Sequence, residues 1–280
     1  MITCNLLGGL GNQLFQIFAV ISYSIDCNNN PAFSDVEYTN GFTLRTTYWN
    51  TFFIYLRKYI FLNLPSHLPI LREKAFSYNE LPIIKDLFDV RLVGYFQSYK
   101  YFEKNKTKIL EMIQIESQKN QLRKQVKYDF YNTISIHFRI GDFQLLQDKH
   151  PILTKTYYQN AIRYILMNMS SEMKKKINIL YFCETTDVIY VEQIIEELKT
   201  EFKEPTFTQI NFAFKDWEQL LIMSCCRYNI IANSTFSWWG AYFNKHIEKI
   251  VCYPSKWFGP NLQHSTRDLF PEEWIKIKDI

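Results

Sequence analysis

Along most of the 280-residue chain, apolar runs rich in β-branched and aromatic residues alternate with stretches of helical period. Residues 1–7 (MITCNLL) read as a strand. From about residue 12, Leu14, Ile17, Phe18, Ile21 and Ile25 recur at three- and four-residue spacings and fall on one helical face. Residues 90–96 (VRLVGYF) predict another strand, followed by a Lys- and Glu-bearing helix to about residue 120. Residues 28–82, with their scattered prolines, give no single period and predict short helices and loops. The second half is more regular. Strands are expected at 133–138 (TISIHF), 177–183 (INILYFC), 229–232 (NIIA) and 249–254 (KIVCYP). Helices are expected at 157–169, 187–199, from 216, and at 237–246.

Strands separated by helices of ten to fifteen residues imply parallel sheets covered by helices. The charged, apolar-poor stretch 119–127 is the expected join, giving an N-terminal domain over 1–127 and a C-terminal domain over 128–280. The architecture implied is α/β, with two doubly wound Rossmann-like domains facing across a cleft. No internal repeat or low-complexity tract interrupts it.

Composition narrows the function. Apolar residues make up 47% of the chain and aromatics 17%, enough for a large core with some rings left to line a sugar site. The net charge of +4, from 32 basic and 28 acidic residues without a long like-charge run, excludes a nucleic-acid footprint but allows a local phosphate pocket. Six cysteines contain no C-x-x-C pair, so neither a zinc site nor a redox motif is indicated. No apolar run reaches the roughly 20 residues of a membrane span. The N-terminus carries no signal-like segment, and a cytoplasmic protein is expected.

Three segments carry the chemistry, each at the carboxyl end of a predicted strand. Gly8-Gly9-Leu10-Gly11-Asn12-Gln13 joins the first strand to the first helix, where glycines admit a ligand close to backbone and a helix start favours negative charge. It lacks the third glycine of a dinucleotide fingerprint, having Leu14 there. His137-Phe138-Arg139-Ile140-Gly141-Asp142 leaves the second half's first strand, and the arginine fork suits phosphate oxygens. Asn233-Ser234-Thr235-Phe236-Ser237-Trp238-Trp239-Gly240 joins NIIA to a helix. Its hydroxyls and first-turn N–H groups can cap that helix and cradle a diphosphate. Asn233-Ser-Thr is a formal glycosylation sequon, but a glycan at a working turn would block it.

GGLGNQLFQ, H-x-R-x-G-D and IIANSTFSWWGA, in this order, resemble the bacterial-type α-1,2-fucosyltransferases, glycosyltransferase family 11, over residues 3 to about 258. Tyr157-Tyr158 with Ala161, and Met223-Ser224 before Cys226, fit the same pattern. The resemblance implies a GT-B fold, an N-terminal acceptor-side domain, a C-terminal donor domain, GDP-fucose as donor, inversion, and no metal or other cofactor. It implies that Arg139 grips the β-phosphate and that His137 sits against the nucleotide. Ser234, Thr235, Phe236 and Ser237 would touch the diphosphate, and Gly9, Gly11, Asn12 and Gln13 would close over donor and acceptor. Two positions depart. Ile140 stands where the family has a second arginine, and Gln219 where it has a carboxylate near guanine; Asp216 and Glu218 are the neighbouring carboxylates, and Glu218 is the guanine candidate.

The implied partner is a galactose-terminated glycan, with an acceptor pocket built from residues 28–90. Asp142 is the candidate base for the acceptor hydroxyl, with Asp148 and His150 as alternatives. Two other readings remain: a protein O-fucosyltransferase, suggested by R-I-G, and an inactive sugar- or nucleotide-binding protein.

Overall fold

The computed structural model describes residues 1–36, 38–40, 43–83 and 89–279. It divides into two compact units: residues 1–118 with 264–271, and residues 119–263 with 272–280. The division falls at the start of the charged stretch, because that stretch is helix and not linker. Lys119 is buried, and its ammonium donates to Ser224 O (3.4 Å) and Phe243 O (3.0 Å) of the second unit. One residue earlier, the Gln118 amide donates to Phe52 O (3.1 Å) and Ile113 O (2.7 Å) of the first. The return of 264–271 to the first unit left no sequence signal. It is fixed there by the Lys100–Asp268 ion pair (2.6 Å) and by His264 stacked on Phe76 (5.0 Å).

The first unit begins with β1 (Ile2–Cys4), wholly buried, and α1 (Leu10–Asp26). A one-sided amphipathic helix was expected. Instead 14 of its 17 residues are buried, and Phe102 packs on both Phe15 and Phe18. The helix also starts two residues early, so Gly11, Asn12 and Gln13 occupy its first turn and not a loop. Next come β2 (Pro31–Ser34), an antiparallel hairpin of β3 (Tyr38–Asn40) and β4 (Thr43–Arg45), β5 (Ile60–Phe61), β6 (Ile70–Arg72) and β7 (Val90–Val93). The parallel sheet has the order β5-β2-β1-β7-β6. Helices α2 (Lys106–Met112) and α3 (Ile115–Gln125) come after it, parted by Gln114 at φ +53°. Residues 37, 41–42 and 84–88, within the stretch expected to hold the acceptor pocket, lie outside the described residues.

The second unit holds β8 (Thr133–His137), α4 (Lys155–Met167), α5 (Ser171–Lys174), β9 (Asn178–Phe182), α6 (Val188–Glu201), β10 (Thr206–Gln209), α7 (Asp216–Cys225), β11 (Tyr228–Ile230), α8 (Thr235–Tyr242), β12 (Val251–Pro254) and β13 (Ile275–Ile277). All six strands are parallel, in the order β10-β9-β8-β11-β12-β13. The expected helices and strands of this half are present within a few residues. The edge strands β10 and β13, of four and three residues, were too short to stand out in the sequence. No helix of the described residues is long and apolar enough to cross a membrane.

Candidate functional site

In an open parallel sheet, ligands bind outside the carboxyl ends of the strands where the strand order reverses. In the second unit that point is between β8 and β11, with β9 and β10 on one side and β12 and β13 on the other. HFRIGD leaves β8 there and NSTFS leaves β11. The His137 and Phe236 rings meet at 5.4 Å, so the two motifs share one edge of the sheet.

Pleating sorts the side chains after β8. Phe138 and Ile140 join the apolar core beside Tyr158, while His137 and Arg139 take the other side. The position where a second arginine was expected therefore faces an apolar interior. Burial, and then the neighbouring Arg139 charge, lower the His137 pKa to about 3, so the ring is neutral at physiological pH. Its Nδ1 makes no hydrogen bond within the described residues.

The Arg139 guanidinium is held by two carboxylates, Asp142 and Glu184, and lies 5.1 Å from the Phe143 ring. Glu184 lies just beyond β9 and was not anticipated. A carboxylate just past a strand end, next to the strand carrying the arginine, was the available signal. Asp187 accepts a hydrogen bond from Gly141 N (2.9 Å) and fixes the turn at φ +27°; a Cβ on Gly141 would sit 3.1 Å from the Glu184 carboxylate. Beyond Phe143, His150 stacks on that ring at 4.9 Å. Burial lowers the His150 pKa, against the opposing pull of Asp142. Asp148 is engaged elsewhere, accepting from the Asn261 side chain (2.8 Å) and backbone (2.9 Å).

At the start of α8, Ser234 is the N-cap, its hydroxyl accepting from Phe236 N (3.3 Å). Thr235 and Phe236 are partly exposed at the same tip. Ser237 is not: its buried hydroxyl contacts Ala232 O (3.5 Å) and Ser234 O (3.4 Å), so it tightens the turn from within. Asn233 is buried, with its amide nitrogen donating to Pro151 O (2.9 Å) and Trp257 O (3.3 Å), which removes the sequon from use. Trp238 and Trp239 are fully buried packing residues. Glu218 lies at the start of α7, where its carboxylate accepts from Lys215 N (2.7 Å); Asp216 likewise accepts from Trp217 N (2.7 Å). Both carboxylates accept hydrogen bonds from backbone at the helix start. Among the described residues, no three His, Cys, Asp or Glu side chains are grouped to hold a metal ion.

The first unit reverses its strand order beside β1, and the glycine turn leaves β1 at that point. Gly8 has φ +78°, where a Cβ would sit 2.4 Å from the Asn12 side chain. Gly9, the N-cap of α1, has an ordinary φ of −78°, and a Cβ there would meet nothing within 4 Å. Gln16 holds both backbone groups of Leu7, at 3.0 and 2.8 Å. Gln13, buried, donates to Gly8 O (3.1 Å) and Thr46 O (2.9 Å). Gln97, beyond β7, donates to Asn12 Oδ1 (3.0 Å) and ties the two strand ends together.

Comparison with known proteins bears on the family and the fold. The chain is 25% identical to an Alpha-1,2-colitosyltransferase of Escherichia coli, over 99% of each chain. It is 28% identical to the O-antigen biosynthesis glycosyltransferase WbnK of Escherichia coli, over 99% of this chain and 100% of that one. Among solved structures, POFUT1 in complex with GDP superposes with a TM-score of 0.51 at 10% identity, over 90% of this chain and 97% of the other. That likeness is one of fold, and the fold is of GT-B type. The profile of Glycosyl transferase family 11 matches residues 43–278, and the chain belongs to that family.

Proposed function

We propose that the protein transfers L-fucose from GDP-fucose, with inversion, to the 2-hydroxyl of a terminal galactose or similar sugar on a glycan. The observation carrying this reading is the meeting of HFRIGD and NSTFS at one strand-order reversal, where the His137 ring of the first touches the Phe236 ring of the second. As the C1–O bond of the donor breaks, charge develops on the departing diphosphate, and groups aimed at that charge lower the barrier. Arg139 and the N–H groups at the tip of α8 fill this role. Ser234 and Thr235 border the diphosphate, Ser237 shapes the turn, and the Gly9–Gln13 turn admits substrate against its backbone.

Arg139 reaches the diphosphate by leaving one of its carboxylates. Donor binding thereby releases Asp142, which accepts the proton of the attacking 2-hydroxyl while GDP departs. His137, neutral, contributes hydrogen bonding and shape. The cation is supplied by the protein, so no metal is required. A second donor is favoured by the name of the colitosyltransferase relative: GDP-colitose, whose sugar lacks the 3-hydroxyl of fucose.

The test is GDP release by the purified chain with GDP-fucose or GDP-colitose, with and without a β-galactoside, and with and without EDTA. Acceptor-dependent release that EDTA leaves unchanged, with an α-1,2-linked product, is expected. Transfer only to a folded protein, or binding without turnover, overturns the proposal.

A further inference from the structure

Residues 46–72 contain Arg57, Lys58 and Arg72 and no aspartate or glutamate. Within them, Ile54–Tyr59 forms a 3₁₀ helix that feeds directly into the edge strand β5. With three residues per turn, positions 53 and 56 share one side, and there Phe53 and Leu56 are fully buried. The two remaining rows, Ile54 with Arg57 and Tyr55 with Lys58, therefore face outward. Ile54 is 46% exposed and Tyr55 43%. The chain then continues into Phe61 at 47% and Leu62 at 91%. Four apolar side chains are thus exposed along this short stretch with two cations, Ile54 and Tyr55 on the helix anchored by Phe53 and Leu56, Phe61 on β5 and Leu62 just past it.

Isolated exposed apolar residues are ordinary, but two on the 3₁₀ helix, one on β5 and one just past it, interspersed with Arg57 and Lys58, make a cluster. We propose that this face of the first unit rests on an anionic phospholipid surface. The cations suit lipid phosphates, and the protruding Phe61 and Leu62 suit the boundary between headgroups and acyl chains. A lipid surface accepts projecting side chains of any shape, whereas a folded partner needs a matched cavity for each. The face would lie on the membrane without crossing it. Membrane contact of this kind is independent of the sugar chemistry and needs no particular donor or acceptor.

The experiment is co-sedimentation of the full chain with vesicles of phosphatidylcholine alone, or of equal parts phosphatidylcholine and phosphatidylglycerol. Binding to the anionic vesicles, weakened by added salt, is expected. Arg57→Glu with Lys58→Glu should lower the partition coefficient at least about tenfold. Phe61→Ser with Leu62→Ser should lower it by a similar factor, and Ile189→Ser, on α6 of the other unit, should leave it unchanged. All of these side chains are exposed, and circular dichroism checks that each variant folds. Equal binding to both vesicle types, or binding that neither double variant reduces, overturns the proposal. So does a loss of turnover on a soluble acceptor with vesicle binding intact, which would assign the face to the glycan. Concentration-dependent self-association that the Leu62 variant abolishes would assign it to a second copy of the chain.

Discussion

Two turns of this molecule occupy equivalent positions and are built from opposite materials. Each leaves the strand beside which its sheet reverses order, and each is tied to the end of a neighbouring strand. In the first unit the tie is an amide pair, Gln97 to Asn12, and the turn consists of glycines and neutral amides. In the second the tie is a ring contact, His137 to Phe236, and the turn carries a guanidinium between two carboxylates. The first presents backbone and no ionic group. The second concentrates charge just past the strand end, with Asp142 and Glu184 around Arg139. A leaving diphosphate needs the second kind of surface, and a neutral sugar held close to backbone is served by the first.

The largest expected effect breaks the charged side of this contrast. Arg139→Ala should lower turnover by two orders of magnitude or more, on the scale of about 3–4 kcal/mol for a single donor aimed at developing charge. Stability should change little, since the guanidinium is partly exposed and its carboxylate partners stay solvated. Steady-state GDP release measures this. Retention of more than a tenth of wild-type turnover would remove Arg139 from the chemistry and leave the two turns without a functional difference.

The buried imidazole gives the next effect, on stability. His137 titrates at about 3 when folded, against about 6.5 in an unfolded chain. Between those values the unfolded state binds the extra proton, so its contribution favours unfolding as pH falls below about 6.5, by about 1.4 kcal/mol per pH unit. Above that range both states are neutral and the contribution is flat. His137→Asn should therefore flatten the acid limb of denaturant-derived stability between pH 6 and about 4.5. An acid limb identical to wild type would mean that the ring is hydrated or charged in the native state.

Much of this contrast was legible in the sequence. The motifs fell between strands and helices, and alternation marked the parallel sheets. The strand alternation that turns Ile140 inward and Arg139 outward was present in TISIHFRI as well. What could not be read came from tertiary packing. Nothing local announces that 264–271 returns to the first unit, since its anchor is the distant Lys100. Glu184 becomes part of the site only because β9 lies beside β8. Ser237 and Glu218, expected from the resemblance to meet the donor, also hydrogen-bond the local backbone, a use open to any hydroxyl or carboxylate near a helix start.

The smaller effects separate the two glycines of the first turn. Gly8→Ala places a side chain at φ +78° and against Asn12, which should cost about 2 kcal/mol in stability. Thermal unfolding measures it, and an unchanged melting temperature would mean the turn relaxes freely. Gly9→Ala should cost almost nothing. Its φ is ordinary and the added methyl meets no neighbour. The weaker N-cap preference of alanine, about 0.5 kcal/mol, is offset by the reduced entropy of the unfolded chain, about 0.4–1 kcal/mol. No internal contact therefore requires glycine at position 9. If the reason is close approach by substrate, Gly9→Ala should raise KM severalfold for donor or acceptor while the melting temperature stays at the wild-type value. An unchanged KM would leave the first turn as scaffold alone, and the division of labour between the two units would then rest wholly on the second.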